Sequence, residues 1–465
     1  MTIKNRAALE AVGDVPARNV ALEVMDATLQ TLDAQRIIRG MLRVEGNSLR
    51  IGQRRWDLAS KRRVIVVGAG KAANAMARAV EEVLGDRITE GLVIVKQREP
   101  GDILSRIELV VGGHPLPNED GLAASRRILE IAGRALPDDL FLSVISGGSS
   151  ALMTCPLPGI SLEDEQRLTE MLLKSGARIL EINAVRRHIS ATNGGRLAQK
   201  IEARGAEMIN FIISDSLGAR PTLDPAQPVS HFGTPVAPDG TTLQDARNAI
   251  EKYCLKGRIP RAILDFLWNA TSQNETPKAF GERIHQYVLA RPANACVAAK
   301  RAAEERGLLA CVLTTVLEGE SSAAGAFLAC VAKEVALNRQ PVPVPCLLIA
   351  GGETTTRIDG PAGEGGPSQE LALGFAAEIA DRRDVCLCAL DTDGTDGPTP
   401  IAGGLVDGTT MARATAKGLD PHRSLLAHDS STVLRAADDA VITGNTGTNV
   451  CDLNVIYVSS EGGSA

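Results

Sequence analysis

The chain has 465 residues, 44% of them hydrophobic and 23% charged, with a formal net charge of −6, which fits about three domains of ordinary size or two large α/β domains. A mean hydropathy of +0.01 excludes a disordered or collagen-like chain. The balance of 50 Lys+Arg against 56 Asp+Glu, with only two Trp, three Tyr and seven Phe, leaves no electrostatic footprint for duplex nucleic acid and few stacking platforms for single strands.

In chain order, the pattern predicts an opening helix over about 20–42 and then a recurring unit: an apolar run, a Gly-rich turn and a helical stretch. Residues 63–67 (RVIVV) meet GAGKAANAM, and 140–145 (LFLSVI) meet SGGSSALM. Residues 308–317 (LLACVLTTVL) meet EGESSAAGAF, 345–350 (PCLLIA) meet GGETTT, and 385–390 (VCLCAL) meet DTDGTDG. Continuous aliphatic runs followed by helices predict parallel strands buried on both faces, a doubly wound α/β architecture with ligands beyond the strand ends. Within a less regular region from Ser214 to about Pro292, the Pro and Asp/Gly density near Pro221 to Gly240 reads as a long ordered loop, of a length that often carries function. The domain break falls near 255–290.

Nine scattered cysteines without CxxC pairing point to buried thiols in a reducing compartment. The first residues hold no apolar core of a signal peptide, and no run reaches the ~18 apolar residues of a spanning helix. The expectation is a cytoplasmic protein acting on small molecules, without nucleic acid or membrane.

Three turns can carry chemistry. Gly68-Ala69-Gly70-Lys71-Ala72-Ala73 fits G-x-G-x-x-A, in which glycines let backbone N–H groups approach an anion at a helix start. The following strand ends in Lys96 and Arg98 with no acid for a ribose, which disfavours NAD and leaves NADP open. A Lys71 charge for a phosphate or carboxylate, or a plain structural turn, are the other readings. Ser146-Gly147-Gly148-Ser149-Ser150 is a second donor-rich turn; it lacks the spacing of a hydrolase nucleophile and suits an anion cradle. Asp391, Asp393 and Asp396 follow a buried strand at i, i+2 and i+5. Oxygen-only ligands on a tight turn favour Mg²⁺, the alternative being an Asx-turn. Asn183, Arg186, Arg187 and His188 would alone read as a solvated basic face. His114 reads as structural, and Glu353 as a metal ligand or a helix-capping acid.

Together these blocks resemble the glycerate 2-kinase family, whose C-terminal module is called MOFRL and whose members are often labelled hydroxypyruvate reductase. The matching stretches include VVGAGKAANAMARA, GGHPLPNEDGL, SGGSSALM, EINAVRRHISATNGGRLA, GGETT, LDTDGTDGPTPIAGGLVDGTT and TGNTGTNVCDLNVIYV, from about Asn19 to Val458. The resemblance implies two doubly wound α/β/α domains with largely parallel sheets facing an interdomain cleft: a Rossmann-like kinase domain over 1–255, connecting helices over 256–290 and a MOFRL-like domain over 291–465. It also implies ATP- and Mg²⁺-dependent transfer of the γ-phosphoryl to a hydroxyl of glycerate or a related hydroxy acid. On that reading Lys71, Asp215 and Asp393 are catalytic. Gly68, Gly70, Ser146, Gly147, Gly148, Ser149, Ser150, Asn183, Arg186 and Glu353 bind substrate or phosphate, and Asp391, Asp393 and Asp396 hold Mg²⁺. The opening and closing segments leave room for homodimer contacts.

Three departures stand out. Ser149 replaces a family glycine, VSHFGTPVAPDGTT lacks the family's Ser-Gly-Pro, and GEGGPSQE places Pro367 and Glu364 where the family carries basic residues. Arg357 and Arg220 are the candidate replacements. The competing readings are an NAD(P)H-dependent hydroxypyruvate reductase and a non-catalytic nucleotide- or sugar-acid-binding protein.

Overall fold

The computed structural model describes residues 2–177, 179–217, 235–358 and 360–460. The chain divides into two compact units, one of residues Ala34–Leu289 and one of Met1–Asp33 with Ala290–Ala465.

The unit of Ala34–Leu289 opens on a small antiparallel meander, β1 (Leu42–Glu45), β2 (Ser48–Ile51) and β3 (Arg54–Asp57). Its main sheet holds β4 (Arg63–Gly70), β5 (Glu90–Val95), β6 (Glu108–Val111), β7 (Asp139–Ile145), β8 (Glu207–Ile213) and β9 (Ile284–Ala290) in the order β6-β5-β4-β7-β8-β9. The pairs from β6 to β8 are all parallel. Every residue of β7 is buried, as expected for strands covered by helices on both faces. The chain winds outward from β4 through β5 to β6, then returns to place β7 on the other side of β4. The strand order therefore reverses between β4 and β7, where doubly wound sheets bind ligands.

The second unit builds the sheet β10 (Leu309–Leu317), β11 (Cys346–Gly352), β12 (Val385–Asp391), β13 (Gly403–Asp407), β14 (Ala440–Val441) and β15 (Asp452–Val458), in the order β10-β11-β15-β12-β13-β14. Only β10 and β11 pair in parallel; the other four pairs are antiparallel. The expectation of a largely parallel sheet is thus corrected here. These strands read as unbroken apolar runs because helices bury both faces, and burial does not report direction. The closing strand β15 inserts between β11 and β12 and runs against both.

The N-terminal segment also differs from expectation. Its helix spans Val15–Leu32, with Asp14 accepting from the Ala17 N–H, and a second helix, Ala34–Met41, belongs to the other unit. The first helix packs on β12 and β15 through Leu22, Met25 and Leu29, and carries Arg18 to full burial. There Arg18 forms ion pairs with Asp407 and Asp439. The stretch 256–290, read as connecting helices, holds the helix Arg261–Asn269 and β9, a strand of the main sheet. Part of the Pro-rich loop, 218–234, with the candidate Arg220, lies outside the described residues.

Candidate functional site

At the reversal point the two Gly-rich turns interlock. The Ser146 N–H donates to the Ala69 carbonyl at 3.1 Å and the Lys71 N–H to the Gly147 carbonyl at 2.9 Å. The Ser146 hydroxyl accepts from the Ala72 N–H at 2.9 Å. Gly70, with φ +148°, lies so close that a Cβ there would stand 2.0 Å from the Ser146 hydroxyl; Gly68 is pressed against the Val144 carbonyl in the same way, at 2.2 Å. The glycines of G-x-G therefore serve the approach of two strand ends. Gly148, with φ +82°, begins the short helix Ser149–Leu152. A Cβ on it would meet the His114 ring at 3.0 Å and the Lys71 side chain at 3.2 Å.

Because β4, β7 and β8 run in parallel, Lys71, the 146–150 turn and Asp215 all emerge at the carboxyl edge of one sheet. His114, which follows β6, joins them. The sequence reads it as structural, and its ring lies beside Gly148.

The basic cluster is not a solvated face. Arg186 and Arg187 are 8% and 5% exposed. Arg187 pairs with buried Asp239 at 3.0 Å, and His188 joins the Ala184 carbonyl and Glu275. Burial pulls the Arg186 guanidinium below its ordinary value, partly offset by Glu165, and among the described residues its Nε and Nη2 have no hydrogen-bond partner. Asn193, farther along, donates to the Ser150 carbonyl at 3.2 Å and ties this region to the turn. Asn183 is half-buried on the same helix, Ile179–His188.

In the other unit, β11 and β12 end beside the start of β15. Gly352 and Asp391 both face Asp452 in register, so Glu353, Asp391 and Asp452 gather at one sheet edge. Burial raises the Asp452 carboxyl well above its ordinary value, and repulsion from Asp391, Asp396 and Glu353 adds to this. Asp452 was not read from the sequence; only the antiparallel insertion of β15 brings it there.

Asp391, Asp393 and Asp396, expected as a Mg²⁺ ligand set, each have their own protein partners. Among the described residues no group of three or more His, Cys, Asp or Glu is placed to hold a metal ion. One Asp391 oxygen accepts from the Asp393 N–H at 3.0 Å, and one Asp393 oxygen from the Thr395 N–H and hydroxyl at 2.8 Å each, which is the Asx-turn alternative. Asp396 accepts from the N–H groups of Ser368 and Gln369 and from the Gln369 amide. It thus neutralises the start of the helix Pro367–Glu378, and burial, with repulsion from Asp393, pushes its carboxyl up to about 6. Spacing could not distinguish a turn-closing or capping acid from a ligand.

Pro367 sits in the first turn of that helix, where its missing N–H has no partner to lose. Glu364 grips Arg435 through both oxygens, at 2.6 and 2.8 Å. Arg357 is exposed.

The lysine and two interlocked glycine turns sit where doubly wound sheets bind ligands, and the similarity to curated and solved kinases gives the class, a phosphotransferase with an alcohol group as acceptor. Residues 20–268 match a domain of unknown function, DUF4147, and residues 346–452 match the MOFRL family. The glycerate 2-kinase of Pyrococcus horikoshii is 36% identical over 96% of this chain and 98% of its own. The D-glycerate 2-kinase of Thermotoga maritima is 41% identical over 84% and 89%, and a putative hydroxypyruvate reductase of Agrobacterium vitis 36% over 85% and 99%. The crystal structure of a glycerate kinase from Thermotoga maritima superposes with a TM-score of 0.77 at 36% identity, covering 95% of this chain and 99% of that one. The chain belongs to the glycerate 2-kinase family.

Proposed function

We propose that the protein transfers the γ-phosphoryl of ATP to the 2-hydroxyl of D-glycerate, with Mg²⁺. The observation that carries the reading is the interlocked pair of turns that fixes Lys71 at the reversal point. In phosphoryl transfer the protein supplies position and positive charge for a dispersed negative transition state. Lys71 is the natural source of that charge, and the 146–150 turn offers hydroxyl and N–H donors to an anionic group. Asn183 and Arg186 lend the region polar and positive character. Asp215, at the same sheet edge, orients the attacking hydroxyl and accepts its proton; Asp393 is the alternative base.

Mg²⁺ commonly needs only one or two carboxylates beside phosphate oxygens and water. The oxygen-only, mutually repelling acids at the other sheet edge fit it, and Asp391 and Asp452 would hold it, with Glu353 nearby. When bound, the ion offsets charge on the phosphate oxygens.

The test is ADP release by purified protein with ATP and D-glycerate, with and without Mg²⁺. Mg²⁺-dependent release that Lys71→Ala abolishes is expected. Full activity of that variant would remove Lys71 from the mechanism. NADH oxidation with hydroxypyruvate in place of ADP release would favour the reductase reading.

A further inference from the structure

β6 lies two strands from β4 in the order β6-β5-β4-β7, so a chain leaving it straight ahead would end away from the reversal point. Packing bends it inward. The Gly112 N–H donates to the Val95 carbonyl at the end of β5, at 2.9 Å. A Cβ on Gly112 would stand 2.8 Å from the Ile94 side chain and 3.2 Å from that of Leu152, the last residue of the short helix Ser149–Leu152. Gly121, at the far side of the loop, is pressed against the same helix, 2.8 Å from the Leu152 carbonyl by the same measure.

Between these two contacts the loop is closed on itself. The Asn118 side-chain oxygen accepts from the Gly113 N–H at 2.8 Å and from the Gly121 N–H at 2.9 Å, and so caps the helix Glu119–Gly133 as well. The Gln166 amide donates to the Pro117 carbonyl at 2.7 Å. His114 is half-buried on this pinned loop.

The ring edge that reaches Gly148 is Cδ2–Nε2. A Cβ on Gly148 would meet those two atoms at 3.0 and 3.1 Å, and Lys71 Cγ at 3.2 Å. His114 and Lys71 therefore border one point above the Gly148 backbone, although they come from loops after different strands and are fixed by different bonds. Lys71 is set by its N–H on the Gly147 carbonyl and His114 by the Asn118 clasp. Convergent nitrogen donors around a backbone without a side chain suit an anionic oxygen, whose hydrogen bonds to them are charge-assisted.

We propose that His114 is a substrate-binding residue, donating from Nε2 to an anionic oxygen of a carboxylate or a phosphoryl group that Lys71 neutralises. The inference rests on the proposed kinase reading only in placing an anion at this turn. Both the Nε2–H tautomer and the imidazolium donate from that atom. The role needs a donor at the Nε2 position, not merely a ring that fills the loop, and substitutions separate the two. Glutamine carries its amide N–H near the place of Nε2, asparagine near that of Nδ1, and alanine carries neither.

Isothermal titration calorimetry of D-glycerate, and separately of MgATP, into wild type, His114→Ala, His114→Asn and His114→Gln tests this. For one of the two probes, Kd should rise about 10–100-fold in His114→Ala and His114→Asn and return to within about threefold of wild type in His114→Gln. Weakened D-glycerate would identify a carboxylate as the anion, and weakened ATP a phosphoryl group. Affinities unchanged in His114→Ala would overturn the proposal. So would recovery in His114→Asn with none in His114→Gln, the signature of a ring held through Nδ1 for packing alone. ADP release reads the kinase activity separately: a wild type that shows this binding pattern without turnover would remove the kinase reading and uphold the role of His114. A wild type that binds neither probe would overturn both.

Discussion

Gly70→Ala tests the turn that fixes Lys71. The new Cβ would stand 2.0 Å from the Ser146 hydroxyl and 2.7 Å from the Ser146 backbone nitrogen, at a φ of +148°. The backbone conformation costs about 1–3 kcal/mol for a residue with a side chain, and displacing the packed Ser146 segment about 1–3 kcal/mol more. Together they come to about 2–6 kcal/mol. A unit of about 250 residues loses about 2–4 °C per kcal/mol, so melting should fall by about 4–24 °C. Ser146→Ala leaves the backbone conformation alone but strips the Ala72 N–H of its acceptor, for about 1–3 kcal/mol. Calorimetry and ADP release on both variants give the answer. The expected order of melting is wild type, Ser146→Ala, Gly70→Ala, with kinase activity lost in the last. A Gly70→Ala protein that melts within 2 °C of wild type and turns over normally would refute the claim that the strand ends interlock.

Other outcomes follow from single sites. Lys71→Ala should lower turnover about 10³-fold or more with melting unchanged, because the side chain leaves the turn's backbone bonds intact. Arg18→Met removes the fully buried cation shared by Asp407 and Asp439, leaving Asp439 to Arg413 and Asp407 to Thr409, and should destabilise its unit by about 3–5 kcal/mol, read by urea unfolding. Glu364→Ala removes only an exposed pair with Arg435 and should leave melting within about a degree of wild type. Burial opposes ionisation of Asp407, Glu207 and Glu275, but Arg18 for the first, His285 and Lys61 for the second, and hydrogen bonds from the Leu243 N–H and His188 for the third bring each to about 2. Lowered carboxyl values give stability that is present above the ordinary 3.8–4.5 and is lost as pH falls toward 2. Acid unfolding followed by circular dichroism should therefore set in below about pH 4.5, and stability that stays flat to pH 2 would contradict these pairings.

The sequence was most readable where one residue type has one physical use. The runs at β4, β7, β11 and β12 were visible because burial on both faces admits only apolar side chains, and Gly70 and Gly148 because close approach and positive φ exclude a Cβ. Direction was not readable: β15 is as apolar as a parallel strand, and its antiparallel insertion is what brings Asp452 to Asp391. Nor was long-range pairing. Nothing in the N-terminal helix signals that Arg18 meets carboxylates 389 and 421 residues away. The acidic turn was found, but spacing alone could not choose its use, because the same DxD pattern that suits a cation also closes an Asx-turn.

The most direct test of the account is phosphorus NMR of the product formed by the purified protein from MgATP and D-glycerate. The account predicts stoichiometric ADP and 2-phosphoglycerate, with none formed by Lys71→Ala. Exclusive 3-phosphoglycerate, or no phosphorylated product while hydroxypyruvate is reduced, would contradict it.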